Sequence, residues 1–407
     1  MSVRKRAWVS NKGPREAWIV DYTDQHGKRR HKTFDLKKQA VAFAATTSVQ
    51  VRDGTHVADS ASVTIEEAGK LWLASVKAAG REASTLDQYE QHMRLHILPY
   101  IGREKLSRVT VPFVRAFHDR LQAEGRSPAM VRAVLGSLGA LLGDAQERGL
   151  VIQNAVRERS RRRRSNGPDR HKRKLKVGVD IPQPDEVRAL LAAAKGRWRP
   201  LLMLAVFTGL RASELRGLRW DDVDLKRSSL HVRQRADKYN TIGSPKSEAG
   251  ERTVPLPPPV VGELREWRLH CPKLKGKLGL VFPNGAGNVE STGNIIQRGL
   301  IPAMLAADIV QPVLDAEGIA RRDADGKPMV VAKYTGLHAL RHFFASWCIN
   351  RKEDGGLGLP AKVVQERMGH SSIVMTLDTY GHLFPRGDDS SELAKAAKAL
   401  LDAEARA

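Results

Sequence analysis

Hydrophobic residues change their spacing along the chain, and each spacing names an element. Trp18, Val20 and Tyr22 alternate with Ile19 and Asp21, the period of two that a half-buried strand requires. Asp24 to Lys32 then reads as a basic turn carrying Lys28, Arg29 and Arg30, with Thr33 and Phe34 as the return strand. Asp35 is placed to cap a helix that runs to Arg52 and is ended by Gly54. Residues 1–58 are thus expected to form a small β-rich module. A basic hairpin of this kind fits a DNA groove, although an ordinary solvated turn has the same composition.

Over 63–158 the spacing becomes helical. Thr64 with Glu66 and Glu67 opens one helix through Leu71, Trp72 and Val76. A second starts at Ser84-Thr85, passes Tyr89, Met93 and Ile97, and is stopped by Pro99 and Gly102. Two more cover Val111–Leu121 and Ser127–Arg148, so four helices with short loops predict a bundle. The periodicity then stops. Between Arg157 and Lys176 eleven Lys and Arg stand against Glu158 and Asp169, a local charge of +9. Such a stretch has no apolar face with which to fold by itself, so 159–179 is expected to be a linker. Its Arg161, Arg162, Arg163, Arg164, Arg170, Lys172, Arg173 and Lys174 could track phosphates or simply be solvated.

Residues 180–385 form the second large unit. Pro184-Asp185-Glu186 opens a helix with acids set against its dipole, and the run Leu201 to Phe207 supplies a core helix. Leu230 with Val232, and Thr253 to Leu256, look like the two strands of a hairpin. A terminal segment, 386–407, carries Leu393, Ala397, Leu400 and Leu401 on one stripe of a tail helix. The expected architecture is multidomain and mainly α with small β-sheets, the last large unit being mixed α+β.

Charge narrows the choice of partner. Lys and Arg number 68 against 45 acids, a formal net charge of +23, which favours polyanions and above all nucleic acid. Cys271 and Cys348 are too few and too far apart for a disulfide framework or a structural zinc site, and they suit a reducing cytosol. No apolar run is long enough for a membrane span, and no signal-peptide core opens the chain, so a cytoplasmic, nucleoid-associated protein is expected.

Four segments place polar residues where core would be expected. Thr208-Gly209-Leu210-Arg211-Ala212-Ser213-Glu214-Leu215 follows the apolar helix and sets a guanidinium at a helix start, with Glu214 three residues on. Lys246 lies in the polar stretch ahead of the Thr253 strand, a place where a lysine is usually just solvated. His338-Ala339-Leu340-Arg341 puts an imidazole and a guanidinium on one helical face. Gly369-His370-Ser371-Ser372 is followed, ten residues after the histidine, by Tyr380.

Taken in order, these segments resemble the tyrosine recombinases, or phage integrases: an Arg in a T-G-L-R-x-S-E-L box, a hairpin Lys, H-x-x-R, G-H-S/T, and a Tyr nine or ten residues later. Each element alone is a weak match; the ordered set is strong. The spacing to Val254-Pro255-Leu256 selects Lys246 over Lys238. The resemblance covers 180–385 as the catalytic domain. It extends to 63–158 as a core-type DNA-binding domain and loosely to 1–58 as an arm-type module. One departure is the long stretch before His338, which contains Arg321 to Gly326.

The resemblance implies a site-specific recombinase that cuts and rejoins DNA through a 3′-phosphotyrosine, integrating or excising a mobile element or prophage. Tyr380 would be the nucleophile, and Arg211 and Arg341 would hold the phosphate oxygens. His338 would assist proton transfer at the nucleophile, His370 would donate to the phosphate, and Lys246 would protonate the leaving 5′-oxygen, with Glu214 in support. It implies no cofactor and no metal. Its partners would be double-stranded attachment-site DNA, three further copies in a homo-tetramer, and in some cases a host DNA-bending protein and an excisionase. Two other readings use the same residues: a type IB topoisomerase, and a non-enzymatic DNA-binding regulator on a recombinase scaffold.

Overall fold

Trp18, Val20 and Tyr22 lie on the middle strand of a three-stranded antiparallel sheet, β1 (Ser2–Ser10), β2 (Gly13–Thr23) and β3 (Arg29–Phe34). The computed structural model describes residues 1–10, 13–24, 27–53, 58, 61–166, 174–272, 278–315, 317–385, 393–394, 397–398 and 400–401. They fall into two compact units, Met1–Arg170 and His171–Ala407, both mainly helical with small sheets.

In the first unit, α1 (Lys37–Arg52) packs Ala40 and Phe43 on Val20, Tyr22 and Phe34. Ile19 is buried as well, so β2 is covered on both faces rather than one. The basic turn is tighter than the sequence suggested, because Arg29 and Arg30 already belong to β3. The cause is Asp24: it is buried, and its carboxylate accepts from the Lys28 N–H and, at 2.9 Å, from Arg30 Nε. Lys28 and Arg29 stay exposed, while Arg30 is held against Asp24. Asp35 does not cap α1; the position falls to Leu36, which has no side-chain oxygen to offer. Gly54 lies outside the described residues.

The bundle comprises α2 (Ile65–Ala78), α3 (Ala83–His92), α4 (Leu98–Ile101), α5 (Val111–Ala123), α6 (Pro128–Glu147) and α7 (Ala155–Asn166). Thr64 starts α2 with a reciprocal capping box to Glu67. Pro99 does not stop its helix. A wide π turn, Met93–Ile97, intervenes, and Pro99 sits in the first turn of α4, where its missing N–H costs nothing. Ile65, Trp72, Ile97, Leu121, Leu138 and Leu142 form the core.

The basic stretch, expected to be irregular, is helical as far as Asn166. Its start is docked: Ala155 is buried, Asn154 Nδ2 donates to the Gly139 carbonyl at 2.7 Å, and the Arg157 N–H reaches Asn154 Oδ1. A nucleated helix propagates into residues that could not nucleate one, which composition cannot reveal. Arg161 to Arg164 therefore ride on α7; Arg170, Lys172 and Arg173 lie outside the described residues, and Lys174 is exposed.

The second unit is built around α9 (Trp198–Thr208), in which Leu201 to Val206 are all buried. Against it pack α8 (Pro184–Ala193), the short α10 (Ala212–Gly217) and, after the sheet, α11 (Pro258–His270) and the α12 (Thr292–Asn294) to α13 (Ile301–Ala306) segment. The sheet holds β4 (Val223–Asp224), β5 (Ser229–Val232) and β8 (Arg252–Pro255), with Leu230 facing Val254. β5 and β8 pair as expected but are not joined by a simple turn. Between them rises a second hairpin, β6 (Arg235–Ala236) with β7 (Ile242–Gly243), which carries Lys238 at its tip. The stretch before His338 is a β-insert, where β9 (Val310–Pro312) pairs with β10 (Val330–Ala332) and two turns are fixed by Asp315 and Asp323. Three helices complete the unit: α14 (His338–Ile349), α15 (Ala361–Met368) and α16 (Ile373–Tyr380). In the tail, Leu393, Leu400 and Leu401 are described and are 71%, 74% and 69% exposed. Among the described residues no helix is long and apolar enough to cross a membrane.

Candidate active site

Two glycines in left-handed conformation organise the centre. Gly209 ends α9 at φ 61° and Gly369 ends α15 at φ 61°, so both helices stop where only glycine is unstrained. Their carbonyls tie the arginines in a crossed pattern. Arg341, on α14, donates to the Gly209 carbonyl and, at 2.5 Å, to that of Met368. Arg211, just ahead of α10, donates to the Gly369 carbonyl at 2.9 Å. A side chain is excluded at either glycine: a Cβ on Gly209 would lie 2.3 Å from the Phe344 ring, and one on Gly369 would lie 2.7 Å from Arg252 Nη1. Gly369→Ala is therefore expected to displace the carbonyl that holds Arg211, costing about 1–2 kcal/mol from the backbone alone. Cleavage assays on the folded variant should show at least a tenfold loss, on the order of what one mispositioned contact costs; unchanged cleavage would show that this glycine does not position Arg211.

Glu214 is the counter-charge. It is only 3% exposed, and its carboxylate accepts from Arg211 Nη1 at 2.7 Å, from the Arg211 N–H at 2.9 Å and from Arg252 Nη2 at 3.0 Å. The anion favoured at the start of α10 is thus supplied by the chain itself. Burial would raise the Glu214 carboxyl, but Arg252 and Arg211 outweigh it and hold it below the usual carboxylate range. Arg252 was not among the residues singled out from the sequence. Its signal is alternation: on β8, Arg252 and Val254 share the buried face while Thr253 and Pro255 are exposed. A charged residue on a buried strand face demands a partner, and Arg252 has Glu214, the Arg367 carbonyl and the Gly250 carbonyl.

Tyr380 closes α16 and is 2% exposed. Its ring stacks on His370 with centroids 6.2 Å apart and planes 7° apart. His370 Nδ1 is within 2.9 Å of Thr376 Oγ1, and Gln365 donates to the His370 carbonyl. The phenol oxygen lies 2.7 Å from His342 Nδ1, and the His338 ring packs edge-on against His342 at 4.6 Å. His342 is the second residue the sequence reading missed, although it sits one turn after His338 on the same helix. Lys246 stands exposed on the segment between β7 and β8, whose far end Arg252 ties down through Gly250. The structure thus gathers Arg211, Glu214, His338, Arg341, His370 and Tyr380 around one centre and adds Arg252 and His342.

The electrostatics follow from burial. Arg341 is pulled down to about 9 by burial and then by the neighbouring Arg211 charge. His370 is pulled down to about 4 by burial and by Arg341, Arg211 and Arg252. Burial, then Arg341 and Arg211, also lowers His338. Tyr380 is pushed up to about 12 by burial, against the pull of Arg341 and Arg211. At neutral pH the histidines are neutral and the phenol keeps its proton. Three guanidinia against one carboxylate leave a net positive centre, suited to an anion such as a phosphodiester.

The profile of the phage integrase family matches residues 182–386, half of the chain, and that of the N-terminal SAM-like domain of phage integrases matches 64–122. The chain belongs to the phage integrase family, the tyrosine recombinases, enzymes that cut and rejoin DNA. It is 28% identical over 382 residues to a tyrosine recombinase XerC-like protein of Caldanaerobacter subterraneus subsp. tengcongensis, covering 89% of this chain and 90% of that one. It is 27% identical over 269 residues to the prophage integrase IntR of Escherichia coli, covering 65% and 60%. Among solved structures, a Tn1549 transposon integrase in complex with a circular intermediate DNA superposes with a TM-score of 0.60 at 19% identity, over 83% of this chain and all of that one. A lambda integrase dimer bound to a COC′ core site gives 0.51 at 18% identity, over 94% and 95%. The protein is a recombinase of the integrase type, related to prophage and mobile-element integrases.

Proposed function

We propose that Tyr380 attacks the scissile phosphate of duplex attachment-site DNA within a synaptic homo-tetramer. The observation that carries this reading is the placement of the Tyr380 phenol, stacked on His370 beside both Arg211 and Arg341. The Oη–P bond forms as the bond to the 5′-oxygen breaks, so the phosphodiester's energy is kept in a 3′-phosphotyrosine. Arg211 and Arg341, held by those backbone carbonyls, direct their remaining N–H groups to the non-bridging oxygens, preorganised donors where charge develops. His370 and His338 face the same phosphate, and Lys246 protonates the leaving 5′-oxygen from its exposed segment. The exposed leucines of the tail favour their packing on a neighbouring copy.

The test is single-turnover cleavage of nicked target DNA in excess EDTA, read on a denaturing gel. A covalent adduct that maps to Tyr380 supports the assignment, and an adduct on another residue refutes it. Relaxation of supercoiled plasmid without exchange between paired sites would reassign the enzyme to topoisomerase chemistry.

The basic helix α7 supplies sequence-independent affinity in this reading. Neutralising Arg161, Arg162, Arg163 and Arg164 is expected to weaken binding to any duplex. It should also flatten the log–log salt dependence by up to about 0.9 per lost phosphate contact. An unchanged slope in salt titrations would place these arginines off the DNA.

A further inference from the structure

We propose that His342 is a catalytic residue of strand cleavage, its Nδ1 taking the phenolic proton of Tyr380 as the tyrosyl–phosphate bond forms and returning it on resealing. This rests on the reading of Tyr380 as the nucleophile. Among the described residues, the hydrogen-bond partner of the phenol oxygen is His342, at 2.7 Å, and the two rings stand 5.7 Å apart at 64°. The contact is prearranged from both sides. Stacking on His370 fixes the Tyr380 ring, and the edge-on His338 ring fixes that of His342. His338, one turn earlier on α14, touches His342 rather than the phenol, so the helix presents its second histidine, not its first, to the nucleophile.

The chemistry balances without any further reactant. The phenol O–H breaks, its proton goes to His342 Nδ1, and the oxygen's electron pair forms the bond to phosphorus while the bond to the 5′-oxygen breaks, that oxygen leaving with its electron pair and taking a proton from Lys246. With Nδ1 as acceptor, the imidazole proton sits on Nε2. Burial, then the neighbouring His338, pulls His342 down to about 4, so the acceptor is unprotonated at neutral pH. With the phenol pushed up to about 12, the proton stays on oxygen while the site is empty. It moves only once the oxygen shares its electrons with phosphorus and the phosphate's negative charge can stabilise the imidazolium. Cleavage is thereby tied to the presence of DNA, and no idle phenolate is exposed to other electrophiles.

The experiment measures single-turnover cleavage of nicked target DNA by the full-length chain, with His342→Ala, His342→Asn and Tyr380→Phe side by side. Asn keeps a polar atom near the Nδ1 position but cannot take a proton. A second substrate carries a bridging 5′-phosphorothiolate, whose leaving thiolate needs no proton. Both His342 variants are expected to cleave at least ~100-fold more slowly on both substrates, the scale of a lost general base. Added imidazole should restore part of the His342→Ala rate. Cleavage by His342→Asn within about threefold of wild type, or its recovery on the phosphorothiolate, overturns the proposal by making the bond a positioning contact or moving the role to the leaving group. If His342→Ala does not fold, His342→Asn alone decides. Adducts that persist in Tyr380→Phe would instead bring down the nucleophile assignment; an inert Tyr380→Phe beside a fully active His342→Asn brings down His342 only.

Discussion

Tyr380→Phe is expected to reduce strand cleavage by at least roughly 10⁴-fold, the scale on which covalent catalysis is lost with its nucleophile. The ring remains, so its stacking on His370 and its burial in the unit persist. The change removes one hydrogen bond, to His342, and should cost only about 0.5–1.5 kcal/mol of stability. DNA affinity should therefore be almost unaltered, and the variant should trap uncut complexes in gel-shift assays. Covalent adducts from this variant would disprove the assignment. Tyr334 would then be the next tyrosine to test, yet its geometry speaks against it. It is 4% exposed, and its hydroxyl donates to Glu186 at 2.7 Å, in a setting where burial and that carboxylate push its pKa up.

Glu214→Gln should have the largest effect on stability. Breaking a buried ion pair from one side leaves the other charge uncompensated and costs about 3–5 kcal/mol. Here Arg252, 9% exposed, would be left beside Arg211 and Arg341 with their common counter-charge gone. For a unit of this size that corresponds to a fall of roughly 10 °C in its melting temperature. Calorimetry on the full chain checks it: a melting point unchanged within about 2 °C would show that the pairing contributes little beyond its desolvation cost.

The same centre sets an acid limit. Glu214 has its folded pKa below its unfolded one, so its contribution is complete above about 4.5 and is lost as pH falls through the folded value. His342 and His370 are pulled down to about 4, so from about 6.5 downward the unfolded chain takes up protons that the folded one refuses. Both effects make stability rise with pH across the acid range, the histidines acting first.

Much of this was legible in the residues. The ordered boxes around Arg211, Lys246, His338–Arg341 and Gly369–Tyr380 mark the family, because the chemistry fixes the residue types and the shared fold fixes their order along the chain. Periodicity placed the helices of the bundle, which bury a single stripe, while alternation in β2 and the unbroken apolar run of α9 marked two elements that are buried on more than one side. Thr64 also revealed itself, as caps are local.

Other features depended on contacts between distant residues. That α7 extends through a run of arginines is decided by the docking of Asn154 on Gly139. That Pro99 is tolerated follows from the π turn before it. The crossed lacing of Arg211 to Gly369 and Arg341 to Gly209 joins residues more than a hundred positions apart, and no local pattern encodes which carbonyl each fork meets. The partner of the phenol is decided in the same way. The sequence offers His338, His342 and His370 within reach of one helix packing on another, and only the rotation of α14 against α16 turns His342 toward Tyr380. Motifs in their order along the chain marked the family and with it the class of chemistry; tertiary packing settled which donor meets which acceptor, because that depends on differences of a few tenths of an ångström between segments that spacing along the chain does not relate.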